Sequence, residues 1–317
     1  MHKLVILRNT SQKYLNKLEL LAPDWKIISG REKSVYESHI QEAEIIVGWR
    51  DDIAKMCLRS DSSLKWIQSW GAGVDNMPLQ KLKEKNIILT NTSGVHTFPI
   101  SETVFAMILT FTRRVHLYLR NQLKNQWRYE KNLQEVHGKI IGIIGAGAIG
   151  EEIAKLAKAF GMKVLGIRRS GKPSLNIDKM FDIKGLDEVI SQSDYVVNIL
   201  PSTKETYRLL GLEQFRKMKS TAFYINVGRG ETTDQEALIK ALEENLIAGA
   251  GLDVFDEEPL TKESPLWNFE NVIITPHISG VTDNYEDRAM DIFIKNFQCY
   301  LKGEELKINV VDLDKQY

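Results

Sequence analysis

Cysteine is nearly missing from this chain of 317 residues. Cys57 and Cys299 are its only two, and they lie far apart with no pair spacing and no histidine cluster nearby. Neither a disulfide framework nor a zinc site is indicated, so both read as reduced packing residues. An excess of one charge is missing too. Lys plus Arg and Asp plus Glu each number 42, so no global field draws the chain to nucleic acid or an acidic membrane, and any anion site has to be local. The amino terminus MHKLVILRNT has an apolar run of only four residues, Leu4 to Leu7. That is too short for a signal-peptide core or a membrane span. A cytoplasmic protein with no nucleic-acid or membrane partner is expected.

What is present suits a globular protein: 43% of the residues are hydrophobic and 26% charged, too apolar a mixture for a disordered chain. The length suggests two domains. Short apolar runs alternate with amphipathic stretches, which argues for βα units and parallel sheets. Strand candidates are KLVIL, AEIIVGW, LKWIQSW, IILTN, KIIGIIG, MKVLGI, YVVNIL, AFYINV, AGAGLDVF and NVIITPH. Nearly all are continuous rather than alternating, as for strands buried on both faces. No repeat, low-complexity tract or Pro-rich linker interrupts them. A long helical segment, Ile100 to Gln122, separates the early strands from the later ones, and a second, from about Asn284 to Leu301, follows the last strand. The second segment can return the chain to the first lobe. The expected organisation is a substrate domain of residues 1–98 plus 285–317, interrupted by a dinucleotide-binding domain of residues 99–284.

The middle lobe opens with GKIIGIIGAGAIGEEIAKLAKAFGMKVLGI. Lys139 to Ile144 reads as a buried strand, and Gly145, Gly147 and Gly150 then satisfy GxGxxG before the amphipathic helix Glu151 to Phe160. Gly145 allows the tight turn, Gly147 lets the backbone approach a pyrophosphate, and Gly150 permits close helix packing. Ala148 and Ile149 complete the loop, where free N–H groups and the positive end of the helix suit an anion. A strand before, a helix after and a second strand within the unit raise the motif above a glycine-rich connection.

The second strand ends in VLGIRRSGK. An NAD site usually presents an acid to the ribose there, about 20 residues past the glycines, and this chain has Arg168. Arg168, Arg169 and Ser170 offer forked donors and a hydroxyl to a 2′-phosphate, whereas an acid would repel it. NADPH is expected to be preferred, with NADH open as a second cofactor. The alternative is a set of solvated cations at a strand end.

Three further motifs each end a strand candidate, where open α/β sheets place ligands: NVGRGE with Arg229, GLDVFDEEP with Asp253 and Glu258, and ITPHISG with His277. Singly, Arg229 is explicable as a surface cation, Glu258 as a loop acid and His277 as a structural imidazole.

Together with GAGVDN, NTSG and LPSTKET, they make the chain resemble the D-2-hydroxyacid dehydrogenase family over essentially its whole length. The resemblance implies an α/β fold of two doubly wound parallel-sheet domains, a Rossmann cofactor domain inserted into a flavodoxin-like substrate domain. The active site would lie in the cleft between them, and the assembly would be a homodimer joined through the cofactor domain. It implies that Arg229, Glu258 and His277 are catalytic, and that backbone N–H groups of Ala72 and Gly73 hold the substrate carboxylate together with Arg229 and His277. Asp253 becomes the partner of the nicotinamide amide. Pro201 and Thr206 come near the adenosine side. No metal is called for.

The chemistry agrees with that assignment. Reducing a 2-oxo acid needs a proton on the developing alkoxide, which an imidazole titrating near neutral pH can give. A carboxylate fixes the ring, and an arginine grips the substrate carboxylate. With the NADPH signal, the resemblance extends to the glyoxylate and hydroxypyruvate reductase branch, so the expected activity is a 2-oxo acid reductase of that type. Trp49, Arg50, Trp70, His96 and Phe98 are candidate specificity residues, the two tryptophans and the phenylalanine being equally readable as ordinary core. The chain stops soon after the returning helix, so no regulatory domain is expected. The alternative function is a dinucleotide-sensing scaffold, like the corepressors of the family, with incidental turnover.

Overall fold

The protein is described here by a computed structural model covering residues 2–74, 76–129, 131 and 133–314. Asp75 of the GAGVDN motif and the end of the tail, 315–317, lie outside the described residues. The fold is α/β, with two parallel sheets in two compact units. One unit comprises Met1–Val95 with Thr282–Tyr317, the other His96–Val281.

The first unit carries β1 (His2–Ile6), β2 (Trp25–Ser29), β3 (Ile45–Val47), β4 (Trp66–Gln68) and β5 (Ile88–Thr90), in the order β2-β1-β3-β4-β5. Successive side chains of a strand point to opposite faces, so a continuous apolar run feeds two cores. Leu4 and Ile6 of β1 pack with Trp66, Phe293 and Phe297 on one face. Val5 and Leu7 join Tyr36, Ile46, Ile67 and Leu82 on the other. The helix Tyr285–Leu301 returns to this unit. Its Phe293 and Phe297 are fully buried, and its Tyr300 hydroxyl donates to Glu44 Oε1 at 2.7 Å.

The second unit carries β6 (Ile140–Ile144), β7 (Lys163–Ile167), β8 (Lys179–Phe181), β9 (Tyr195–Asn198), β10 (Phe223–Asn226), β11 (Gly249–Leu252) and β12 (Val272–Ile274). Their order is β12-β11-β10-β9-β6-β7-β8. It reverses direction between β6 and β9, which makes the crevice beyond their C-terminal ends the switch point where doubly wound sheets take ligands. Again two cores flank the sheet, one with Ile141, Ile143, Val164 and Val197, the other with Ile144, Leu165, Val196 and Tyr224.

Two strands escape the sequence reading, β2 and β8. Both are edge strands, covered on fewer sides, so Lys26 and Lys179 break their apolar character and both remain partly exposed. The helix expected over Ile100 to Gln122 is two helices, Thr97–Thr112 and Val115–Leu123. Arg114 takes a left-handed φ of 54° between them. The Thr112 hydroxyl turns to the Ile108 carbonyl and the Tyr195 hydroxyl, both at 2.6 Å, anchoring the point where the first helix ends. Cys57 and Cys299 are unpaired, and burial pushes the Cys57 thiol up to about 12. Among the described residues, no helix is long and apolar enough to cross a membrane.

The returning helix is part of the first unit's core. Phe293→Ala is expected to cost about 3–5 kcal/mol, read as an earlier chemical unfolding transition. An unchanged midpoint would show that the helix contributes no core there.

Candidate active site

In the second unit, the strands β6, β7, β9, β10, β11 and β12 are followed in turn by Gly145, Arg168, Pro201, Arg229, Asp253 and His277. Parallel pairing therefore delivers most of the sequence-derived candidates to one edge of one sheet.

The glycine loop fits a dinucleotide. Gly145 has φ +102°, and a Cβ there would come within 2.9 Å of the Ile199 carbonyl oxygen. A Cβ on Gly150 would sit 3.0 Å from the Gly145 oxygen, so helix and strand pack as closely as the motif demands. Gly147 instead faces open space. The helix Ala148–Ala159 starts there, and the N–H groups of Ala148 and Ile149 have no hydrogen-bond partner among the described residues. Unsatisfied first-turn donors beside an open approach are what a pyrophosphate requires.

At the end of β7, Arg168 is turned back on that loop. Its Nε donates to the Ala146 carbonyl at 2.8 Å, and its Nη2 is paired with the Glu151 carboxylate. Arg169 and Ser170 are exposed, and the Ser170 hydroxyl accepts from Lys172 N–H at 3.4 Å. Sequence reasoning missed Glu151, because an acid in the first helical turn has a sufficient explanation in the helix dipole. Pro201 and Thr206 are brought together: the Thr206 hydroxyl donates to the Pro201 carbonyl at 2.6 Å and accepts from Thr203 N–H at 2.8 Å.

His277 and Glu258 meet, with Nδ1 and Oε2 2.6 Å apart. Glu258 is fixed in turn, its Oε1 accepting from Phe255 N–H at 3.0 Å. The imidazole Nε2 has no partner among the described residues. His277 has a left-handed φ of 51°, unfavourable for a side chain with Cβ by about 1–2 kcal/mol. What holds it there is Asp253. The Asp253 carbonyl accepts from His277 N–H at 2.9 Å. Its fully buried carboxylate takes the Thr275 hydroxyl at 2.5 Å and the amides of Ile278 and Ser279 at 3.0 Å each. The contacts shown by Asp253 are therefore those of a loop holder. Arg229 is half-buried and donates through Nη1 to the Gly228 carbonyl at 3.0 Å.

Ala72 and Gly73 lie in the first unit. Asn91 Nδ2 donates to the Ala72 carbonyl at 2.8 Å, while the N–H groups of Ala72 and Gly73 have no partner among the described residues. Of the specificity candidates, Arg50 is tied to Asp52 at 3.2 Å. Trp70 lies beneath the Arg8 guanidinium, 5.0 Å from the ring centroid. Trp49 is partly buried, its indole N–H without a partner among the described residues. His96 and Phe98 belong to the second unit, where His96 Nδ1 meets the Gly280 carbonyl at 2.8 Å.

A doubly wound sheet with an open glycine loop at its switch point defines a dinucleotide-binding protein of the α/β class. Residues 105–279 match the family described as D-isomer specific 2-hydroxyacid dehydrogenase, NAD binding domain. The glyoxylate reductase of Thermococcus litoralis is 33% identical over 302 residues, covering 92% of this chain and 90% of that one. A solved D-isomer specific 2-hydroxyacid dehydrogenase family protein from Aeromonas salmonicida superposes with a TM-score of 0.86 at 34% identity, covering 99% of both chains. The NADPH-dependent glyoxylate/hydroxypyruvate reductase of Sinorhizobium meliloti, solved with NADP and sulfate, gives 0.83 at 26% identity over 100% of both. The chain belongs to the D-isomer specific 2-hydroxyacid dehydrogenase family and is an NAD(P)-dependent oxidoreductase.

Asp253→Ala leaves one hydroxyl and two amides without their acceptor. The expected loss is at least about 2 kcal/mol, measured by denaturant unfolding of the variant. Unchanged stability would show that other contacts hold the loop.

Proposed function

We propose that this protein, a cytoplasmic homodimer, reduces a small 2-oxo acid of the glyoxylate or hydroxypyruvate type to the D-2-hydroxy acid, with NADPH preferred over NADH. The observation that carries the reading is His277 with its Nδ1 against Glu258 and its Nε2 without a partner among the described residues. A ring tethered through one nitrogen leaves the other to give a proton along a fixed direction. The substrate class follows the names of similar proteins, glyoxylate reductase and glyoxylate/hydroxypyruvate reductase.

In this reading a bound reduced nicotinamide supplies hydride to the carbonyl carbon. Glu258 sets the ring orientation, and His277 Nε2 protonates the alkoxide as it forms. Arg229 holds the substrate carboxylate and polarises the carbonyl. Ala72 and Gly73, whose N–H groups have no partner among the described residues, are further proposed donors to a substrate carboxylate. Asp253 contributes by holding His277 in place. Ala148 and Ile149 receive the pyrophosphate beside the open face of Gly147, Gly145 and Gly150 supply the tight turn and the close helix packing that form that loop, and Pro201 and Thr206 shape the adenosine side. The NADPH preference is supported by Arg168, Arg169 and Ser170, which stand where an NAD site carries an acid.

The test is loss of reduced-cofactor absorbance, with NADPH and NADH separately, against glyoxylate, hydroxypyruvate, pyruvate and branched or aromatic 2-oxo acids. Rapid turnover of the first two with NADPH is expected, and a preference for NADH would overturn the cofactor reading. His277→Ala should lower kcat by about 10²- to 10⁴-fold. A variant with near-normal kcat would remove His277 from the proton transfer.

Support for the homodimer comes from the helix Val115–Leu123 and the residues after it, where Leu119, Leu123, Trp127 and Tyr129 are 55, 86, 92 and 80% exposed. Large apolar side chains exposed over a short stretch favour an association surface. Replacing Leu123 and Trp127 with glutamate is expected to turn a dimer into a monomer by light scattering. A monomeric wild-type protein would reject the assembly.

A further inference from the structure

The nucleotide site holds a carboxylate that the cofactor reading does not use. Glu151 lies in the first turn of the helix that follows the glycine loop, and its carboxylate is paired with Arg168 Nη2. Arg168 Nε is occupied at the same time, by the Ala146 carbonyl at 2.8 Å. A guanidinium can grip two oxygens side-on through Nε and one Nη, or end-on through its two Nη groups. Here the side-on edge is taken by the protein itself. Only the end-on pair is left for a ligand, and the group competing for it carries negative charge.

We propose that Glu151 is a specificity-determining residue of the nucleotide site. It holds Arg168 side-on, and its charge restrains selection for a 2′-phosphorylated adenosine over one with a free 2′-hydroxyl. The proposal rests on the reading that the end of β7 receives the adenosine ribose.

A 2′-phosphate carries roughly −1.5 to −2 charge. Bound end-on to Arg168, it would share one guanidinium with the Glu151 carboxylate. Two anions a guanidinium's width apart lie inside the screening length of about 8–10 Å, so salt does not remove their repulsion. A 2′-hydroxyl carries no charge and feels none of it. Glu151 thus weakens binding of the phosphorylated ligand alone. The exposure of the pair, 26% for Arg168 and 41% for Glu151, keeps the effect moderate rather than prohibitive.

Glu151→Gln isolates the charge. The amide has nearly the same shape, its oxygen can still accept from Arg168 Nη2, and glutamine has nearly the same helix propensity. Binding is measured by calorimetry on the whole protein with 2′,5′-ADP and 5′-AMP, fragments that differ by the phosphate in question. Glu151→Gln is expected to tighten 2′,5′-ADP by about tenfold, the scale of a partly exposed like-charge contact, and to leave 5′-AMP within about twofold. In the Arg168→Gln background the gain should shrink, because no guanidinium then holds the phosphate beside position 151. An unchanged or weakened 2′,5′-ADP affinity overturns the proposal, as does an equal gain for both ligands. Failure of the underlying cofactor reading looks different. There the wild-type protein would bind the two fragments equally, and a selective gain in Glu151→Gln would still establish Glu151 as the restraint.

Discussion

Parallel pairing is the constraint on which the rest of this molecule depends. Strands that all run one way need crossovers, the crossovers cover both faces of the sheet, and no face is left for polar side chains. Polar function is pushed to the strand ends. In the second unit β6, β9, β10, β11 and β12 are almost wholly apolar along their lengths, and the residues just beyond them are glycine, proline, arginine, aspartate and histidine. The same rule in the first unit puts Trp49, Trp70 and the loop with Ala72 and Gly73 beyond β3 and β4. Core and site are therefore two consequences of one pattern.

Asp253 shows how that edge is kept in order. A carboxylate with no exposed surface is costly unless its oxygens are satisfied. Three donors from one turn, Thr275, Ile278 and Ser279, satisfy them. The same residue's carbonyl holds the His277 amide, and His277 sits in a backbone conformation that an unsupported histidine seldom adopts. The strain of one residue and the burial of the other offset each other through a shared turn. The imidazole that emerges has a fixed base and, through Glu258, a fixed ring.

Much of this was legible in the sequence, because the features that announced it are local. Continuous apolar runs marked the buried strands, and spacing of the glycines marked the loop after β6. What failed to show was what depends on neighbours distant in the chain. The edge strands β2 and β8 have lysines where a central strand would have apolar residues, since an edge is buried on fewer sides. The break at Arg114 follows a Thr112 hydroxyl drawn to Tyr195, a residue 83 positions away, and no helical periodicity encodes that. Asp253 was visible as an acid in a motif, but its three donors lie beyond the next strand, so its work in holding the loop was not.

Arg168 is the residue where reading in one dimension and in three diverge furthest. In the sequence it is a cation at a strand end with nothing acidic beside it, which points to phosphate. In the fold, Glu151, 17 positions back, lies against it and, with the Ala146 carbonyl, takes the side-on edge of the guanidinium. A lone arginine would favour the phosphorylated ligand strongly; an arginine already paired favours it by what the remaining donors gain over the carboxylate's repulsion. Cofactor choice at such a site is a difference between two charged contacts on one side chain. In the role proposed for Glu151, that choice depends on the acid on the helix as well as on the base on the strand, and the two can be varied independently because they belong to separate elements.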